Sequence, residues 1–285
     1  MKKLLLIGNG VNRCFEKDSW GKAIENVRKR YGVSLSYDKI KELPYNMQIV
    51  AASGDNVDGA MAGYCADLCK DVISDENREF LLSITDGFDD ILTTNYSFEL
   101  EQALGVKPSA ASYRRASEQA RDGLTKRQKQ MNIHKYHNAG GKRIWHIHGD
   151  AAAPSSVVMG HYYYGKLLRA IQERVSEFVP GYMGKTARGL TYEPSSWVDM
   201  FLIDDVYVIG CALDLCEYDL YYLLCCKKRR NNGSTVTCII KDDEELGAEK
   251  KLMFDAYNVK VEKIKAADYK EFYIKAAEYV RSVKR

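Results

Sequence analysis

Short apolar runs alternate with amphipathic stretches along most of the chain. "LLLI" after Lys3 is continuous enough for a strand buried on both faces, and "GNG" follows it as a turn into a charged helical segment through Arg30. From about residue 38 to 86, stretches such as "GAMAGYCADLCKDVI" and "ENREFLLSI" repeat apolar residues at three and four, the helical period. "DDILTTNY" reads as another buried strand and "SFELEQAL" as the helix after it. "RIWHIHGD" alternates as a strand does, and "SSVVMG" predicts one more. A helix over Tyr163–Phe178 then leads into a glycine-rich loop, "VPGYMGKTARGLTYEPSS".

The last third is the most regular. "VYVIGCAL", "STVTCIIK" and "VKVEKI" read as strands, separated by the helices "CEYDLYYLLCCKKRR" and "EELGAEKKLMFDAY" and closed by a helix from Asp268. Alternating strand and helix requires crossover connections, hence a parallel sheet covered on both faces. The expectation is one α/β domain over residues 1–285, a doubly wound, Rossmann-like sheet with a helical insertion at about 38–86.

Composition narrows the class. The apolar stretch after Lys2 and Lys3 stops at Gly8, short of the ~7–15 residues of a secretion-signal core, and no later run reaches the ~18 needed for a membrane span. Eight cysteines lie mostly inside apolar stretches, without paired C-x-x-C knuckles. These features predict a soluble, reduced, cytoplasmic protein with no metal. Cys65 and Cys69 stand one helical turn apart, but no second pair matches them. A net charge of +3 implies no general nucleic-acid field. Arg114, Arg115, Arg121, Lys126, Arg127, Lys129 and Lys135 do concentrate at about 107–143, which reads as an exposed basic excursion: a solvated face, an anionic-ligand lid or a nucleic-acid patch.

In a parallel sheet the ligand crevice lies outside the carboxyl ends of the strands. Three such ends carry unusual residues. In "GNGVN", Gly8 and Gly10 allow close backbone approach, and the amides from Gly8 through Asn9 to Asn12 are candidates to hold a phosphate, although the third glycine of the dinucleotide fingerprint is missing. "LTTNY" leaves Thr93, Thr94 and Asn95 at a tip, and "HIHGD" leaves His148, with His146 two residues earlier on the same face of the strand. The tyrosines of "GHYYYGK" suit packing over a ligand or in the core.

A glycine turn after the first strand, T-T-N, H-I-H-G and a late "VIGCAL" occur here in the order seen in the sirtuin superfamily. The chain resembles its bacterial defence branch, the sirtuin-like NAD-cleaving effectors, more than the protein deacylases. It is also similar to the neighbouring abortive-infection H family, which shares I-G-N-G and H-I-H-G. The resemblance implies NAD as substrate, Asn95 and His148 as catalytic residues, and Gly8, Gly10, Asn12 and Gly210 around the cofactor, to which the strand-tip reading adds Asn9 and Thr94. It implies an NAD glycohydrolase acting in antiviral defence, gated by homo-oligomerisation or a sensor protein. Ser97 departs from the pattern, since the family often has aspartate two positions after the asparagine, and Glu99 and Glu101 stand nearby. The deacylases' zinc ribbon is missing between His148 and Gly210. Other readings are a non-catalytic NAD or ADP-ribose sensor, a deacylase or ADP-ribosyl transferase, and a nucleic-acid-binding partner.

Overall fold

The computed structural model describes residues 1–15, 20–54, 56–107, 109, 113–115 and 131–283. The opening apolar run forms β1 (Lys3–Ile7), buried beyond its first residue. The other strands among the described residues are β2 (Asp90–Thr93), β3 (Tyr113–Arg115), β4 (Lys135–Ala139), β5 (Lys142–His146), β6 (Asp205–Ile209), β7 (Val236–Lys241) and β8 (Val259–Ile264). All eight join one sheet in the order β3-β4-β5-β2-β1-β6-β7-β8. Six of them, β5-β2-β1-β6-β7-β8, run parallel. Counted along the chain, these six lie in the order 3-2-1-4-5-6, the arrangement of dinucleotide-binding folds, with its reversal between β1 and β6.

Successive residues of β1 face opposite sides, so Leu4 and Leu6 enter one core and Leu5 and Ile7 the other. The Asp75–Thr85 and Tyr269–Ser282 helices cover the second face. The first face carries the helices Trp20–Arg30, Tyr45–Ser53, Val57–Leu68, His161–Thr186, Trp197–Ile203 and Tyr218–Arg230. Helix starts are fixed locally: the Asp268 carboxylate accepts the Glu271 amide at 2.8 Å, and the Ser196 hydroxyl accepts the Asp199 amide at 3.1 Å. No helix among the described residues is long and apolar enough to cross a membrane.

Three segments differ from the sequence expectation. The sheet is mixed, because β4 runs antiparallel to both β3 and β5. That hairpin draws the end of the basic stretch inward, so Met131, Ile133, His137 and Ala139 are buried; Arg121, Lys126, Arg127 and Lys129 lie outside the described residues. "SSVVMG" forms no strand, since β5 already pairs with β2 and β4 and offers no open edge; Val158 instead donates its amide to the His148 carbonyl at 2.8 Å. The first part of the glycine-rich loop, residues 179–186, is helix, as His161–Thr186 runs past Phe178, where Tyr182 stacks at 5.3 Å between ring centroids and Tyr192 meets Phe178 edge-on at 5.0 Å.

Candidate functional site

Register aligns the strand ends. Ile7 pairs with both Thr93 and Ile209, and Thr93 pairs with His146, so Gly8, Thr94, Ile147 and Gly210 each stand one step beyond a common edge. Above that edge lies a cavity of about 700 Å³, lined by Asn9, Gly10, Thr94, Asn95, His148 and Gly210 among others. Its size falls in the ~300–1,000 Å³ range of small-molecule sites. Asn12 lines a neighbouring cavity of about 390 Å³ with Ser97 and Glu99. Gly8 lies beneath, where a Cβ would stand 2.4 Å from Cys211 Cα, so its missing side chain lets the β1 and β6 loops touch.

The first loop spends most of its amides internally. Gly8 donates to the Ile209 carbonyl, Gly10 to Gly210 at 2.7 Å, Val11 to Gly8 and Asn12 to Asn9. A short 3-10 turn, Asn12–Phe15, follows it, and the charged helix expected through Arg30 is described from Trp20 to Arg30. Cations on the cavity wall come from side chains, Arg13 and Lys270, the latter paired with Glu76.

Asn95 is buried, its amide N–H held by Thr93 Oγ1 at 3.1 Å, and among the described residues its side-chain Oδ1 has no hydrogen-bond partner. His148 lies in the turn after β5, and its Nε2 meets Asp219 Oδ2 at 2.9 Å. Burial opposes a charged imidazole here, but Asp219 and then Glu217 outweigh it, so His148 titrates above its ordinary value. Tyr164 packs edge-on to the same ring at 5.6 Å. Because β5 ends at His146, the two histidines part company. His146 is buried away from the cavity, its Nδ1 donating to the Asn95 carbonyl at 2.7 Å and its Nε2 facing Glu101 at 2.8 Å.

Sequence reasoning missed Glu217 and Asp219. They follow the β6 tip in "LDLCEYDL" and open the Tyr218–Arg230 helix, where acidic residues pass for ordinary helix-start charges. Asp219 is fully buried behind His148, while Glu217 lines the cavity. Burial pushes the Glu217 carboxyl up to about 7, eased by His148 and raised again by Asp219 and Asp214. The position two after Asn95 is also supplied differently: Ser97 donates its hydroxyl to Glu99, a buried carboxylate that reaches back from its helix. Glu101 points instead toward His146.

A carboxyl with a raised folded-state pKa binds its proton more tightly folded than unfolded. Its contribution to stability is therefore complete below its unfolded value near 4.5 and is lost as pH rises through about 7. Wild-type stability should fall between pH 5 and pH 8, and Glu217→Gln should shrink that fall by up to about 3 kcal/mol, less whatever solvent at the cavity mouth screens. His146, raised to about 9 by Glu101 against the opposing effect of burial, loses its own contribution at higher pH in both proteins. Denaturant unfolding of the pair at the two pH values reads Glu217 together with its coupling to His148.

Residues 89–188 match the family model of a SIR2-like domain. The match covers about a third of the chain, from β2 to just beyond the His161–Thr186 helix, and so includes Asn95 and His148 but neither the Gly8 loop nor Gly210. It supports a place in the sirtuin-like superfamily, whose chemistry uses NAD. No curated protein matches the chain.

Proposed function

We propose that the chain is an NAD glycohydrolase that cleaves the nicotinamide–ribose bond to give nicotinamide and ADP-ribose. The observation that carries this is an unpaired acceptor, Asn95 Oδ1, on the same cavity wall as His148 with a buried carboxylate behind it. In the proposed pose the pyrophosphate lies over the Gly10 and Gly210 loops near Arg13, and the nicotinamide ribose reaches Asn95 and His148.

The reaction needs little acid catalysis. Nicotinamide leaves with the bonding electron pair as a neutral molecule, so no proton has to reach it. The ribose passes through an oxocarbenium-like transition state, as in glycoside hydrolysis. Water then adds to the sugar carbon and gives up one proton. His148, oriented and made more basic by Asp219, accepts that proton directly or through Glu217, whose titration near 7 suits a proton carrier at neutral pH. Asn95 Oδ1 accepts a hydrogen bond from the water or a ribose hydroxyl. The family resemblance supports a setting in antiviral defence by NAD depletion, gated by self-assembly or a sensor protein.

The test is chromatography of NAD incubated with the full-length protein. Nicotinamide and ADP-ribose are expected in equal amounts, and Asn95→Ala should leave NAD intact while unfolding at nearly the wild-type temperature, because the lost carbonyl has no protein partner. NAD bound with measurable affinity yet returned whole by wild-type protein, in every assembly state isolated, would replace this reading with that of a nucleotide sensor.

A further inference from the structure

Beneath Asn95, and outside the cavity, a second polar cluster joins three elements. Glu101 comes from the short helix Glu99–Ala103, His137 from β4 and His146 from the last position of β5. Their nitrogen and oxygen ligand atoms all lie within 4.8 Å of one another, and all three residues are buried. Asp150, itself fully buried, brings Oδ2 to 3.5 Å from His137 Nε2. Phe98 meets both histidine rings edge-on, and Tyr113 stacks on His137 with centroids 4.4 Å apart while its hydroxyl and the Asn132 amide donate to Asp150 Oδ2, so the surroundings are close-packed and Asp150 is held in place.

From this arrangement we infer that Glu101, His137 and His146, with Asp150 beside them, form a structural site for a first-row divalent metal of the zinc type. Two carboxylates and two imidazoles share one buried volume, an arrangement that favours an added positive charge at their centre. Among the described residues Glu101 Oε2 has no hydrogen-bond partner, although it is fully buried. His146 is already set as a metal ligand usually is: a backbone carbonyl, that of Asn95, takes the Nδ1 proton and turns Nε2 toward Glu101 and His137. Mixed imidazole and carboxylate donors suit Zn²⁺ and its neighbours, whereas Mg²⁺ and Ca²⁺ take oxygen ligands. The bound ion would hold His146, and through it the Asn95 backbone, in one position.

The expectation of no metal rested on cysteine spacing, and the cysteines take no part here. The site stands independently of the reading proposed for the cavity, so its test measures metal. Untagged full-length protein is stripped with a chelator, loaded with Zn²⁺, freed of excess and analysed for metal content and thermal unfolding. The expected result is about one Zn²⁺ per chain, with a higher Tm in the loaded form. Glu101→Gln and His137→Gln should each weaken Zn²⁺ binding at least about 100-fold, the upper end of what even outer partners of a metal contribute. A Cys65→Ser/Cys69→Ser control should bind as wild type does. Co²⁺ bound to wild-type protein should show visible d–d bands without thiolate charge transfer, which keeps the test decisive if a variant fails to fold. Less than stoichiometric Zn²⁺ in wild type, thiolate charge transfer with Co²⁺, or full retention in both folded ligand variants would overturn the site.

Discussion

Asp219→Asn is expected to slow nicotinamide release by about 10²–10⁴-fold while leaving the fold intact, the range general-base help supplies. The carboxylate accepts the His148 Nε2 proton at 2.9 Å and lies fully buried, so it fixes both the tautomer and the basicity of the ring. Asparagine keeps the shape and one acceptor oxygen but removes the charge that raises His148 above its ordinary pKa. A base works only when deprotonated, so turnover should rise with pH through the His148 titration. In the variant that rise should move to lower pH and reach a much lower plateau. His148→Ala is a harsher test, because it strands the Asp219 carboxylate in the interior, a defect of about 3–5 kcal/mol. The informative comparison is therefore Asp219→Asn against wild type, with nicotinamide production normalised to folded protein. Turnover within a few-fold of wild type would remove the Asp219–His148 pair from the mechanism and turn attention to the other carboxylates on the cavity wall, Glu217 first among them.

What the sequence made legible follows from which signals are local. A continuous apolar run ending in glycine is a local signal, and β1, β2, β6, β7 and β8 each carry such a run or a clear alternation. The tips of β1, β2 and β6, and the turn after β5, then meet because the parallel register aligns them, which brings Gly10, Asn95, His148 and Gly210 to one cavity from four distant stretches. The β4 strand was hidden by its chemistry. His137 and Ala139 alternate with exposed Asn138 along it, but an inward-facing histidine reads as polar until Asp150 and Tyr113 are seen beside it. The long helix was hidden by Pro180 and two glycines, which ordinarily end a helix, whereas here aromatic contacts among Phe178, Tyr182 and Tyr192 hold the later turns. Glu217 and Asp219 were unreadable for another reason. Their role depends on His148, about 70 residues away in sequence, and no spacing rule connects an acidic helix start to a histidine in the turn after another strand.

Gly10→Ala is expected to weaken NAD binding by about 10–100-fold, or ~1.4–2.8 kcal/mol, with a loss of stability of similar size. The reason is the contact between the two loops at the point where strand order reverses. An added Cβ would stand 2.7 Å from the Gly210 carbonyl oxygen and from Tyr273 Oη, and 2.9 Å from Gly210 Cα. Two of those atoms belong to backbone, so a side-chain rotation does not relieve the clash. The Gly10 amide also donates to that same carbonyl at 2.7 Å, and separating the loops would lengthen this bond and reshape the surface proposed to hold the pyrophosphate. Gly165 is the matched control. It lies within the His161–Thr186 helix, and a Cβ there meets nothing within 4 Å, so Gly165→Ala should leave NAD affinity unchanged and stability equal or higher by about 0.5–1 kcal/mol. Calorimetric titration of both variants with NAD, alongside their unfolding curves, distinguishes a damaged site from a general glycine effect. If Gly10→Ala lost stability yet bound NAD as tightly as wild type, the loop contact would be structural only, and the pyrophosphate would have to lie elsewhere along the cavity, against Arg13 and Lys270.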